Sequence, residues 1–224
     1  MATSGTSTFN LDIDDLIAEA YERCGLETRT GYDILTARRS LNLLFADWAN
    51  RGLNLWTIEQ RQTTMVIGQA EYTLPSDTVN VLSAVIRTNS GQTTQQDISI
   101  DRISRNEYLN LPDKYTQSRP AQYYVERTIS PKLYVYPTPD QAQSYIFRYY
   151  AIRRIEDAGA YSNTTDIVFR FLPCLAAGLS YYIALKKAPD RVVMLKQFYE
   201  EEFLRAAQED RDIASVYLVP DMGN

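Results

Sequence analysis

Between residues 12 and 24 the apolar positions are Ile13, Leu16, Ile17, Ala20, Tyr21 and Cys24, the offsets of one helix face. Asp14 and Asp15 fall in the first turn, where the positive end of the helix dipole favours acids, and Gly25 supplies a stop. The spacing predicts a second helix over residues 30–50, with Ile34, Ala37, Leu41, Leu44, Phe45 and Trp48 on one stripe and Gly52 beyond its end. A short polar turn joins the two, which favours an antiparallel helical hairpin.

From residue 53 the period changes to two. An extended run from Trp56 to Ile67 is followed by runs at 71–74, 79–87, 97–100, 122–126, 133–136 and 144–153. Gly68-Gln69, Pro75, Asn89-Ser90-Gly91, Ser130-Pro131 and Pro137-Thr138-Pro139 punctuate them. Ser104 and Glu107 match a capping box that opens a short helix before Pro112. After a polar stretch at 156–165, Phe169, Leu172, Leu175, Ala176, Leu179, Tyr182 and Ile183 predict a third helix, with Pro173 tolerable only in its first turn. Ala188-Pro189-Asp190 separates it from a fourth, which carries Val192, Leu195, Phe198, Tyr199, Phe203 and Ala206 and frays after Asp210.

These elements predict an α+β fold: a four-helix layer of two N-terminal and two C-terminal helices, an inserted antiparallel β domain, and an extended C-terminal tail. The expected organisation is a flexible arm at 1–10 and a discontinuous helical domain at 11–52 and 166–212. A β-rich insert with one short helix occupies 53–155, a linker 156–165, and a docking tail 213–224. In that tail Val216, Tyr217, Leu218, Val219 and Pro220 form an apolar stretch outside any long helix, which needs a surface to dock on.

Composition narrows the chemistry. Of 224 residues, 45% are hydrophobic and 23% charged, enough to bury a core without metal or disulfide. There are 17 tyrosines and no histidine, so the side chain most used for proton transfer near neutral pH is missing, and triad hydrolases and histidine-ligated metal enzymes are disfavoured. No cofactor is expected, because no glycine-rich phosphate loop occurs. Cys24 and Cys174 stand apart without metal-ligand spacing and read as buried reduced thiols. A net charge of −5 without a basic stripe argues against a tight grip on nucleic acid. The first eight residues lack a basic cluster and an apolar run, so neither a secretory signal nor a membrane anchor is expected.

Asp12, Asp14 and Asp15 and the run Glu200, Glu201, Glu202 are the paired-carboxylate candidates. Their plainer reading is dipole stabilisation for the first group and a solvated helix face for the second. Pairs such as Tyr123-Tyr124 and Tyr149-Tyr150 could stack on bases or sugars. Adjacent strand positions face opposite ways, however, so each pair sends one ring inward. Arg153-Arg154 falls at a strand end and Lys186-Lys187 in a last helical turn. Ala176, Ala177 and Gly178 lower helix propensity and permit close approach by a neighbouring element, within the chain or between subunits.

The segments Ala37-Arg38-Arg39-Ser40-Leu41-Asn42 and Trp48-Ala49-Asn50-Arg51-Gly52, followed by Leu55-Trp56, resemble the start of portal-bound adaptors of short-tailed phages, the tubular tail protein A type. Tyr72-Thr73-Leu74-Pro75, Arg119-Pro120-Ala121-Gln122-Tyr123-Tyr124, Leu133-Tyr134-Val135-Tyr136-Pro137, the stretch from Leu175 to Tyr182, and Tyr199-Glu200-Glu201-Glu202 follow in the order of that family. The resemblance implies a virion protein with no chemistry to perform: a ring of twelve copies beneath the portal that extends the DNA channel and receives the tail nozzle and fibres. It further implies that DNA passes without sequence-specific binding, that no membrane is involved, and that the tail around Tyr217 reaches the portal. The Glu200 to Glu202 run could line the lumen. The alternatives are a neck connector of a long-tailed phage and, from another class, a tyrosine-rich carbohydrate- or single-strand-binding module. An enzyme using paired carboxylates ranks last.

Overall fold

Asp12 opens the first helix, α1 (Ile13–Arg23), by accepting a hydrogen bond from the Asp15 N–H at 2.8 Å, which satisfies an orphan donor of the first turn. Gly25 follows at φ +69, a left-handed position that ends the helix at little steric cost. The computed structural model describes residues 5–6, 9–28, 30–51, 55–140, 145–160 and 162–210. The described parts of Met1–Leu55 and Ile155–Asn224 form one compact unit and Trp56–Arg154 another.

In the helical unit α1 is followed by α2 (Gly31–Arg51), which Thr30 and Asp33 start by reciprocal side-chain to backbone hydrogen bonds. After the strands come α4 (Leu172–Lys187) and α5 (Val192–Glu209). The short α3 (Arg105–Leu109) belongs to the other unit and carries the predicted capping box between Ser104 and Glu107. Cys174 through Ser180, Ile183 and Ala184 are all buried on α4, which packs against α1, α2 and α5. A helix apolar on every face belongs at the centre of its unit. Pro173 sits in its first turn, where the missing N–H costs nothing. At its other end Lys187 pairs with Asp33, and Lys186 donates to the Ser40 hydroxyl at 2.6 Å. The two lysines thus tie α4 to α2 as well as complementing the dipole.

The described residues of the β unit form two four-stranded sheets. The first has the order β1 (Ile58–Thr64), β8 (Tyr145–Arg153), β3 (Thr78–Thr88), β4 (Gln96–Ser99), all antiparallel. The second has the order β2 (Glu71–Thr73), β7 (Lys132–Tyr136), β6 (Gln122–Glu126), β5 (Asp101–Arg102). Their inner faces share one core that includes Val81, Ile86, Tyr123, Leu133, Phe147 and Tyr149, with the rings of Tyr123 and Phe147 edge to face at 5.5 Å. Along β6 and β7 burial alternates strictly, as period-two patterning requires.

The structure shows the mixed α+β class and antiparallel-rich sheets. It differs from the predicted pattern in two places. β5 pairs with β6 in parallel, because the chain between them crosses over through α3 and does not turn back in a tight hairpin. The first extended run is strand only over Ile58–Thr64: Leu55–Thr57 is a 3-10 turn, and after Met65 the chain enters the Gly68 turn. Gly52 and residues 216–220 lie outside the described residues.

Candidate functional site

The helical unit contains a polar and aromatic cluster that is buried at Trp48 and Tyr199 and reaches solvent at Arg51. Trp48 of α2 donates its indole N–H to the Tyr199 hydroxyl at 2.9 Å, and that hydroxyl lies 3.1 Å from Asp47 Oδ2. The same carboxylate oxygen accepts from Arg51 Nε at 2.7 Å, while the other two guanidinium nitrogens of Arg51 reach Glu200 at 2.6 and 2.9 Å. The guanidinium carbon lies 4.9 Å from the centre of the Tyr199 ring and 4.8 Å from that of Phe203, a cation over two aromatic faces. Burial pushes the Tyr199 phenol far above its ordinary range, so it stays protonated.

Glu200 is therefore not merely solvated. The Arg51 fork holds its carboxyl below the usual carboxylate range. Glu202 pairs with Arg205 at 2.8 Å, and Glu201 accepts from Gln197 at 3.0 Å. In the first acidic group Asp12 caps α1 while Asp14 and Asp15 lie in its first turn, so neither group forms a carboxylate pair aimed at a common substrate.

Ala176, Ala177 and Gly178 are all buried within the chain. A Cβ on Gly178 would stand 2.9 Å from Leu44 Cδ2 and 2.9 Å from Tyr199 Cε2, so the small residue admits α2 and α5 to the flank of α4. Both cysteines are buried and unpaired. Burial raises the Cys174 thiol far above its ordinary value, which leaves it protonated and inert as a nucleophile.

Asp210 has a role the periodicity did not reveal. Its carboxylate pairs with Arg170 and accepts the Leu55 N–H at 2.8 Å. One side chain thereby joins the end of α5, the turn before α4, and the last described residue before the β unit. A sequence signal did exist: an acid at a helix C-terminus opposes the dipole and calls for a cation.

Among the described residues of the helical unit, two sizeable cavities stand out. One, of 340 Å³, is lined by Phe9, Leu11, Glu19, Arg23, Phe169, Leu172, Pro173 and Ala176. Among the described lining residues the charged ones are Glu19 and Arg23, which pair with each other at 2.7 Å. The other, of 440 Å³, is lined by Tyr21, Gly25, Leu26, Glu27, Asp33 and Lys187, of which Asp33 and Lys187 pair with each other. Neither presents a nucleophile beside a base, and among the described residues no group of three or more His, Cys, Asp or Glu could hold a metal.

In the β unit the strand tyrosines divide as expected: Tyr123 and Tyr149 are buried, whereas Tyr124 and Tyr134 face outward and Tyr150 is exposed. Tyr108 of α3 lies against both outward rings, 5.8 Å from Tyr124 and 5.2 Å from Tyr134. It fills the face on which a base or sugar would stack. Burial, with Glu71 and Glu126 nearby, pushes the Tyr134 phenol up to about 12.

The charge pairs set the pH response. Arg51 lowers the Glu200 carboxyl and Arg61 lowers that of Asp77, so their stabilisation is complete above the unfolded carboxyl values and is lost as pH falls through the folded ones. Asp33 raises the Lys187 ammonium, whose contribution is lost only as pH rises past its ordinary alkaline value. Denaturant midpoints should therefore stay level from about pH 6 to 8, drop below about pH 4.5, and decline again above about pH 8.5, where the unfolded chain ionises Cys24 and Cys174 and the buried thiols do not. Glu200→Gln should flatten part of that acid limb. An unchanged acid limb in this variant would show that the Arg51 pair carries no linkage.

The model of the family described as SU10 adaptor protein matches residues 11–220. No curated protein matches the chain. Among the described residues no helix is long and apolar enough to cross a membrane.

Proposed function

The chain belongs to the SU10 adaptor protein family of phage structural proteins, and from that membership we propose that it forms a ring, of twelve copies, bound beneath the portal. The ring extends the DNA channel and carries the tail nozzle and fibres of a short-tailed phage. The observation that carries this reading is the family match, which runs through both compact units. The site chemistry supports it: Glu19 pairs with Arg23 and Asp33 with Lys187, and the buried Cys174 thiol and Tyr199 phenol are held protonated. A net charge of −5 per copy suits a wall past which DNA slides. With Glu200 and Glu202 paired to arginines, that repulsion comes from the whole surface more than from the acidic run.

The segment 213–224, with Val216, Tyr217, Leu218, Val219 and Pro220, is the proposed portal anchor. Native mass analysis of the protein mixed with portal rings from the same phage tests the assignment. We expect each portal ring to gain about twelve copies by matching closed symmetries through a shared axis. A chain ending at residue 212 should keep its fold and lose the association. Portal rings that gain nothing across a range of salt concentrations would overturn the adaptor role, and undiminished binding by the shortened chain would overturn the anchor alone.

A further inference from the structure

Two helices of the helical unit bear a second apolar stripe on the side turned away from its core. On α2, Tyr32, Leu35 and Leu43 are each more than half exposed. With exposed Arg39 they follow the 3.6-residue period along the line opposite Ala37, Leu41, Leu44 and Trp48. On α5, Val193, Met194 and Leu204 are also more than half exposed, and Phe198 is 45% exposed. These flank Gln197 and Glu201 on the line opposite Leu195, Tyr199 and Ala206. A helix on the surface of a single globular unit needs only one apolar stripe, so a second marks a contact with something else.

We propose that the outer stripe of α2 in one copy packs against the outer stripe of α5 in the next, with Arg39 opposite Glu201; this rests on the ring assignment above. Charge selects the pairing. Each stripe has one uncompensated charge near its middle: among the described residues Arg39 has no carboxylate partner and Glu201 meets only the neutral Gln197. An antiparallel α2-on-α2 contact crossing at mid-stripe would set two Arg39 side chains side by side, and α5-on-α5 would do the same to Glu201. Of these mid-stripe crossings the mixed pairing sets Arg39 against Glu201, and Arg205, one turn after Glu201, is already bound to Glu202. Because the mixed pairing joins two different patches, it is head-to-tail, the kind of contact that closes into a ring when the rotation allows.

The test is a charge exchange in the full chain, with copies per assembly read by sedimentation and native mass analysis, both free and on portal rings. Arg39→Glu and Glu201→Arg should each weaken association by about tenfold or more, since each places like charges together. The double variant should return to within about threefold of the unaltered protein. Both substitutions are at exposed positions, so unchanged thermal melting verifies the fold. As a second readout, Leu43→Cys mixed with Phe198→Cys should give a cross-linked dimer with a short bis-maleimide, and neither variant alone should; the native thiols are buried. Rings that form equally well with either single exchange, or a double variant that loses both increments, overturn this interface and leave the ring standing. If the unaltered protein never assembles beyond one copy, free or on the portal, the ring assignment falls and this interface with it.

Discussion

Trp48→Ala is expected to destabilise the helical unit by about 3–5 kcal/mol, the range for deleting a large buried aromatic side chain. The indole is fully buried and tilts against Phe171 at 5.5 Å and Phe203 at 5.9 Å, so its loss leaves a cavity walled by rings that cannot collapse easily. It also removes the N–H that the Tyr199 oxygen accepts. Two milder variants separate volume from hydrogen bonding. Trp48→Phe keeps most of the ring and loses the donor; Tyr199→Phe strands the indole N–H and frees one lone pair of Asp47. Each should cost about 1–3 kcal/mol, and the double variant less than their sum, because the second change removes a partner already lost. Denaturant unfolding followed by fluorescence reads all four variants. A loss below about 1 kcal/mol for the alanine variant would show that the cluster does not hold the unit together.

Gly178→Val should cost a comparable amount for the opposite reason. Any Cβ at this position meets Leu44 and Tyr199 at 2.9 Å, closer than van der Waals contact allows. The Leu44 methyls can rotate, but the Tyr199 ring is fully buried and fixed through its hydroxyl. Alanine gains about 1 kcal/mol of helix propensity over glycine and pays about 1–3 kcal/mol of overpacking. Gly178→Ala should therefore be neutral to about 2 kcal/mol destabilising. Valine adds two methyls and a stiffer side chain and should cost about 3 kcal/mol or more. Leu44→Ala combined with Gly178→Ala should cost less than the sum of the two single changes, because the added methyl enters space the leucine vacates. If Gly178→Ala alone stabilised the protein by the full propensity difference, the close approach would be refuted.

Much of the fold was legible because its signals are local. The helix faces of α1 and α2, the capping box at Ser104 and the first-turn position of Pro173 follow from spacing and from the donors each turn leaves unpaired. The inward and outward division of the tyrosines followed from the strand period alone. The site was less legible. Glu200 reads as one acid in a solvated run until Arg51, 149 positions earlier in the chain, is found beside it. Asp210 reads as a fraying end until Arg170 and the Leu55 N–H converge on it.

By itself, then, the sequence determined where helices and strands run, which face of each is apolar, and that no histidine-based chemistry is available, since period and composition are properties of neighbouring residues. Only the tertiary structure decided that β5 joins its sheet in parallel. It alone showed that Tyr108 covers the outward tyrosines and that Gly178 faces α2 and α5 within one chain. It also left two helices each with a second apolar stripe unburied. Those outcomes depend on which distant segments approach one another, and that is set by the sum of many weak contacts across the chain.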